Sequence, residues 1–356
     1  MKILFTIHGL TAGGAERVTA SVANGLNKLG HDIFILTNNV SNQDYPIDAN
    51  IKIILRNLSC GGLGRILNYC KQLTSIINNN DIDIVISING GWLPLTIGLC
   101  RLCGVKIVYS DHNSFERPDN APMPKSVRKQ KFTYSRFCNL TTVLTNRDKE
   151  VLNNRNNVVV APNPLFLPLL KEIPPKEKIV LAVGRYDAWH VKGFDLLIKA
   201  WANLCKKYPD WKLRIVGMSS ESAKTKMQGF ITDYKASNVD LVPFRGDIEL
   251  EYRNAEIFVL SSRFEGFGLV LTEAMSQRCA CIACDYKTRQ SDIITDGVDG
   301  LICKADSVSD LTEIMDQLIA DGHLRESLKM HSIDNLSRYS ERNISNMWNS
   351  FLSKLL

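Results

Sequence analysis

Four charged side chains, in two short runs, carry the most specific chemistry in this 356-residue sequence. Glu265 and Glu273, with seven residues between them, lie in Ser262-Arg263-Phe264-Glu265-Gly266-Phe267-Gly268-Leu269, continuing to Glu273-Ala274-Met275. Gly266 and Gly268 let backbone N–H groups approach a ligand closely, and a helix starting there turns its N-terminus toward an anion. Carboxylates accept hydrogen bonds from hydroxyl groups. With Glu265 in the loop and Glu273 about two turns up the helix, the two acids are expected to face opposite ends of one ligand. The second run is Val183-Gly184-Arg185, followed by Lys192-Gly193. There a strand ends at Gly184 and a helix begins near Gly193. Arg185 supplies a planar fork and Lys192 a point charge, both suited to a diphosphate. A departing diphosphate gains negative charge, so such cations help most in the transition state.

Two further segments lie in the first half. Gly13-Gly14 opens a helix after the first strand, another turn compatible with an anion. It is not G-x-G-x-x-G, and the second strand ends in Leu36-Thr37-Asn38 without an acid for a ribose, which disfavours a nicotinamide enzyme. A strand at 105–110 runs into Asp111-His112-Asn113, placing His112 where clefts form and giving it a catalytic or substrate-positioning reading. No G-x-S-x-G, H-E-x-x-H or Walker pattern occurs.

These residues need strands that end beside one another. Short β-branched runs at 2–7, 32–37, 51–55, 82–87, 105–110, 140–144 and 158–161 alternate with helical patterns such as 14–29, 65–78 and 147–153. A second series covers 178–183, 212–216, 239–242, 257–261 and 279–283, with helices at 194–207, 269–276 and 311–320. Continuous apolar strands with helical crossovers mean α/β architecture with parallel sheets covered on both faces. The prolines between 162 and 177 mark a boundary. The expected domains are 1–165 and 166–338, with an amphipathic helix at 339–356. Such sheets bind ligands outside the carboxyl ends of their strands, and a two-domain form would make its site in the cleft between them.

Composition fits a soluble globular protein, 45% apolar and 22% charged. The start is too short and polar for a signal peptide, and no apolar run approaches the roughly 20 residues of a spanning helix. The expected place is therefore cytoplasmic or peripheral. Residues 1–165 carry a net charge of +7 and the remainder −1. Lys125, Arg128, Lys129, Lys131 and Arg136, interleaved with Val127, Phe132, Tyr134 and Phe137, suit either an interfacial helix on anionic lipid or a solvated helix face. Nucleic acid is disfavoured, because no binding motif accompanies the charge. Of the ten cysteines, Cys100 and Cys103 form C-x-x-C. Cys279, Cys281 and Cys284 read as a buried strand rather than a zinc site, which would need four convergent ligands.

Together these segments resemble the family-4 retaining glycosyltransferases, a large GT-B family. The likeness spans nearly the whole chain: Gly13-Gly14-Ala15-Glu16-Arg17-Val18, Ser110-Asp111-His112-Asn113, Gly184-Arg185 with Lys192-Gly193, the Glu265 and Glu273 motif, and Asp296-Gly297-Val298-Asp299-Gly300-Leu301. Within the family the chain looks most like bacterial enzymes of O-antigen, capsule or lipid-linked oligosaccharide synthesis. The resemblance implies two Rossmann-like doubly wound domains facing a central cleft. It implies transfer, with retention, of a hexose or N-acetylhexosamine from a nucleotide-diphosphate sugar to a lipid-linked or polysaccharide acceptor. Uridine is the base expected on family frequency. Arg185 and Lys192 would hold the donor diphosphate, Glu265 the transferred sugar and Glu273 the ribose hydroxyls. The backbone of Phe267, Gly268 and Leu269 would cap the phosphates, beside Gly266. Gly14 would lie by the phosphates from the N-terminal domain and His112 near the sugar. The resemblance implies neither metal nor cofactor beyond the donor, and a terminal helix packed back on the first domain.

Two departures stand out. Members often have Gly-x-Pro where this chain reads Gln277-Arg278-Cys279, and glycines where it reads Lys287-Thr288-Arg289-Gln290 near the expected sugar pocket. Rival readings are a GT-B sugar-nucleotide epimerase, which needs no acceptor, and a non-catalytic membrane-peripheral partner subunit. A glycoside hydrolase would need carboxylates flanking a bond, which a pair on one loop and helix does not offer.

Overall fold

The computed structural model describes every residue except 12, 41–45, 58–60, 118–121, 218–219, 245–246 and 288. Ala12, which precedes the first glycine pair, and Thr288 of the departing loop therefore lie outside the described residues. Backbone contacts divide the chain into two compact units, one of Met1–Pro164 with Tyr339–Leu356, the other of Leu165–Arg338.

The first unit holds β1 (Lys2–Thr6), β2 (Asp32–Thr37), β3 (Lys52–Leu55), β4 (Ile84–Ile88), β5 (Lys106–Ser110), β6 (Leu140–Val143) and β7 (Val158–Val160). Its sheet order is β3-β2-β1-β4-β5-β6-β7, parallel throughout. The central strands β1 and β4 are buried on both faces, while the edge strand β3 is largely exposed. Leu4, Leu36, Val85 and Ile107 form one core with Leu73 and Ile77 of the helix Gly62–Asn80 and Ile97 of the helix Leu93–Leu102. The helix Glu341–Ser353 packs on the helix Gly14–Lys28 through Ile344, Trp348 and Leu352. The approach is close: a Cβ on Gly25 would collide with Ser345 Oγ. Lys28 pairs with Glu341 at 2.9 Å, and His31 Nε2 lies 2.8 Å from Asn349 Oδ1.

The second unit holds β8 (Glu177–Val183), β9 (Lys212–Gly217), β10 (Val239–Pro243), β11 (Ala255–Leu260), β12 (Ala280–Asp285) and β13 (Leu301–Lys304), in the order β10-β9-β8-β11-β12-β13, again all parallel. Two doubly wound α/β sheets are thus present, as the strand series predicts. In each, the winding reverses beside the first strand, at β1/β4 and β8/β11, which opens a crevice at the carboxyl ends.

Several expectations shift. Strand β13 has no counterpart in the sequence reading, because four residues behind a glycine turn carry too short a pattern to register. The helix expected to reach Lys207 ends at Ala202, after which Leu204 N–H bonds back to Trp201 O in a tighter turn. The basic segment is not one helix but a helix at Lys125–Phe132 and a 3₁₀ turn at Tyr134–Phe137. Lys131 is not on its surface: it is 1% exposed, and its Nζ lies 2.8 Å from Asp111 Oδ1 and 2.9 Å from Asn113 O. A buried carboxylate needs a paired cation, and Lys131 serves it. Cys279, Cys281 and Cys284 are buried at and within β12, with Cys284 Sγ 3.0 Å from Cys303 Sγ. Burial pushes the Cys279 thiol up to about 11, keeping it protonated.

Candidate functional site

The two charged runs of the second unit follow β8 and β11, the strands that flank its switch point. After β8 the chain makes a 3₁₀ turn at Tyr186–Ala188, anchored by Tyr186. That ring is buried edge-on to Phe194, and its hydroxyl lies 2.7 Å from Ile215 O and 2.9 Å from Val242 O. With Tyr186 turned inward, Arg185 is left exposed at the carboxyl end of the sheet.

Gly193 ties this turn to the loop after β11. It adopts φ +64°, and a Cβ there would collide with Ser261 O. Ser261 Oγ donates to Lys192 O at 2.8 Å, and Arg263 N–H to Val191 O at 2.8 Å. Arg263 also clamps the base of the loop with a bidentate pair to Asp195, both contacts 2.8 Å, and a third bond to His190 O. Only a residue without a side chain lets the two backbones meet so closely.

Lys192 is brought onto Glu265 by this stitching. Its Nζ lies 2.6 Å from Glu265 Oε1, and Ser262 Oγ donates to the same oxygen at 2.8 Å. The lysine stem runs over Gly184, where a Cβ would be 3.2 Å from its Cγ and Cδ. Gly268, at φ +91°, starts the helix Leu269–Ser276 without a side-chain cap. Its first N–H groups are therefore open to an anion. Glu273 comes little more than one turn after that start, not two, and is 4% exposed. Tyr252 Oη donates to its Oε2 at 3.0 Å. Lys192 and Glu265 thus meet in one acid–cation pair, and Arg185, Gly266, Phe267, Gly268, Leu269 and Glu273 lie along the same two segments, after β8 and β11.

Sequence reasoning missed Ser262 and Tyr252 as the partners that orient the two glutamates. Ser262 opens the motif and had a signal in its position. Tyr252 comes from the helix Ile248–Asn254, and nothing in its surroundings marks it. In the departing loop, Gln290 is buried with its Nε2 3.7 Å from where a Gly268 Cβ would project.

Gly14 and His112 belong to the first unit. Gly14 begins the helix Gly14–Lys28, and the Glu16 carboxylate folds back toward that end, into the space a Gly13 Cβ would take. His112 follows β5 and is held from three sides. Its backbone N–H donates to Asn89 Oδ1 at 3.0 Å, Nδ1 lies 3.2 Å from Asn163 Oδ1, and Nε2 3.2 Å from Ser110 Oγ. Thr142 donates to Ser110 Oγ, so a consistent assignment has the Ser110 hydroxyl donating to Nε2 and Nδ1–H donating to Asn163. Burial holds the ring pKa below its ordinary value of 6.5, which favours this neutral form. Among the described residues no group of three His, Cys, Asp or Glu is placed to hold a metal ion, and no helix is long and apolar enough to cross a membrane.

Comparison with known proteins covers both units. The family profile described as Glycosyltransferase Family 4 matches residues 12–167, and that described as Glycosyl transferases group 1 matches residues 171–333. The amylovoran biosynthesis glycosyltransferase AmsD of Erwinia amylovora is 29% identical, covering 99% of each chain. The chain is 25% identical to a Campylobacter jejuni N-acetylgalactosaminyltransferase whose name specifies a diphospho-undecaprenol-linked glycan, over 100% of this chain and 99% of that one. Anabaena HepE, solved in complex with UDP and glucose, superposes with a TM-score of 0.81 at 17% identity, over 99% and 100% of the two chains.

Proposed function

The chain belongs to the family-4 glycosyltransferases of the GT-B fold, and we propose that it transfers a hexose or N-acetylhexosamine from a UDP-sugar to a lipid-linked or polysaccharide acceptor of the bacterial surface, with retention and without a metal. The observation that carries this reading is the Lys192–Glu265 pair beneath the uncapped helix start at Gly268. In the proposed complex the diphosphate lies on the helix N-terminus, with Arg185 and Lys192 neutralising the charge it gains as the bond to the sugar breaks. Glu265 receives a hydroxyl of the transferred sugar, and Glu273 the ribose. The acceptor hydroxyl attacks from the face the nucleotide leaves, and the leaving phosphate takes its proton.

The acceptor class is supported by the glycan named for the Campylobacter relative and by the polysaccharide named for the Erwinia one. The donor is supported by the UDP and glucose in the structure of HepE. A peripheral station on an anionic cytoplasmic membrane face fits Lys125, Arg128, Lys129 and Arg136, all exposed, beside a half-exposed Phe137.

The test is transfer from a panel of UDP-, GDP- and ADP-sugars to polyprenyl-diphosphate glycans, with and without EDTA, reading the new anomeric configuration by NMR. Calorimetry with UDP accompanies it. Failure of the wild-type protein to bind any nucleoside diphosphate would sink the proposal.

A further inference from the structure

A cavity of about 400 Å³ opens in the first unit, lined by none of the residues assigned above. Its walls come from the carboxyl ends of β1, β2, β3 and β4 and from the helix Gly62–Asn80, through His8, Asn38, Arg56, Tyr69, Gln72 and Trp92 among others. The volume lies within the usual range for a small-molecule site, and the place is the switch point of this sheet. Among the described residues its lining contains aromatic rings, carboxamides and two arginines, Arg56 and Arg65, and neither Asp nor Glu.

Trp92 is the first unusual residue. It adopts φ +65°, just after Asn89 at +53° and Gly90 at +69°. A bulky residue with positive φ is an outlier that the surrounding structure has to enforce. Here the enforced backbone sets the indole against Tyr69, ring centroids 5.3 Å apart, and Tyr69 Oη is fixed by Thr96 Oγ1 at 2.7 Å. The result is a rigid aromatic wall, able to take the apolar face of a sugar ring.

Arg56 is the second. Its guanidinium sits over Tyr69, 5.4 Å from the ring centroid, and Nη1 reaches Asn38 Oδ1 only at 3.4 Å. Its Nε is buried and has no hydrogen-bond partner among the described residues. Desolvation lowers its pKa, and no carboxylate among those residues offsets that. A guanidinium drawn out of water among neutral groups is matched by an anion, and its planar fork fits phosphate.

Exposed apolar side chains next to these residues are the third. Leu55, beside Arg56 in sequence, is 58% exposed, and Ile66, about one turn before Tyr69 on the helix, is 37% exposed.

We propose that this cavity binds a sugar bearing a phosphate, with the sugar ring against Trp92 and Tyr69 and the phosphate on Arg56, and that this sugar phosphate is the foot of the acceptor. The last clause rests on the glycosyltransferase reading above; the binding chemistry does not. The exposed apolar residues beside Arg56 and Tyr69 favour a lipid-linked phosphate.

The experiment is calorimetry on the full chain with saturating UDP present, so that the site in the second unit is occupied. The probes are N-acetylglucosamine 1-phosphate and the uncharged methyl N-acetylglucosaminide. Wild-type protein is expected to prefer the phosphate at least tenfold. Arg56→Gln, which keeps an amide toward Asn38, removes that preference, and Trp92→Ala weakens both ligands. Equal affinity for the two probes in the wild type overturns the proposal, as does a preference that survives in a folded Arg56→Gln. Loss of UDP binding in the wild type strikes the donor reading alone, since the two probes can be compared without UDP. Co-sedimentation separates the sources of phosphate. Retention on phosphatidylcholine vesicles carrying a polyprenyl-diphosphate sugar, reduced by Leu55→Glu, assigns it to a lipid. Equal retention on plain vesicles, beside an intact preference for the soluble sugar phosphate, assigns it to a soluble acceptor.

Discussion

Lys192 Nζ and Glu265 Oε1 lie 2.6 Å apart across 73 positions of sequence. Both side chains are mostly sheltered, 22% and 15% exposed, so their charges interact more strongly than a surface pair would. Lys192 and Ser262 both bond to Oε1, which leaves Oε2 for a ligand hydroxyl. Lys192→Ala and Glu265→Gln are each expected to lower transfer by at least ~100-fold, the scale of removing one preorganised charge contact. Circular dichroism should stay that of the wild type. Wild-type turnover in both variants would refute the assignment.

Tyr252 should matter through Glu273. Tyr252→Phe removes one hydrogen bond from a buried carboxylate, which costs about 1–3 kcal/mol. Thermal denaturation reads that loss. Affinity for UDP should fall while affinity for inorganic pyrophosphate, which has no ribose, holds. An equal fall for both ligands would reduce Tyr252 to a packing role.

His112 predicts a pH dependence. Its folded pKa is held below 6.5 by burial, so the unfolded chain binds the proton first. The stabilisation is complete above 6.5 and is lost as pH falls from there through the folded value. Melting temperatures measured between about pH 7 and 5 should decline more steeply for wild type than for His112→Gln. Parallel curves would show that another group sets the slope.

Arg278 carries a strain that its own side chain offsets. It adopts φ +62° in the segment that departs from the family's Gly-x-Pro, and its guanidinium donates to the carbonyls of Leu170, Lys171, Lys329 and Met330 at 2.7–3.0 Å. Arg278→Gly relieves the backbone but loses all four bonds, and Arg278→Ala loses the bonds and keeps the strain. The expected order of stability is wild type, then Arg278→Gly, then Arg278→Ala, with the last two separated by about 1 kcal/mol. A glycine variant more stable than wild type would contradict this account.

Sequence alone determined the two parallel sheets, because fully buried strands such as β4 and β11 must be written as unbroken apolar runs and their helical crossovers as amphipathic ones. It also determined the glycines at 193 and 268, since only glycine takes positive φ there without strain, and the charged residues beside them. What the tertiary structure alone decided is which groups share a contact. Lys131 reads as one more surface cation until the fold sets it on Asp111. Tyr252 reads as an ordinary aromatic until its helix carries it to Glu273. Arg56, Tyr69 and Trp92 come from three separate elements, and their cavity exists only once the strand order sets those elements side by side. Local pattern records what each residue must bury, whereas partnership across tens of positions depends on strand order and register, which no short window of sequence contains.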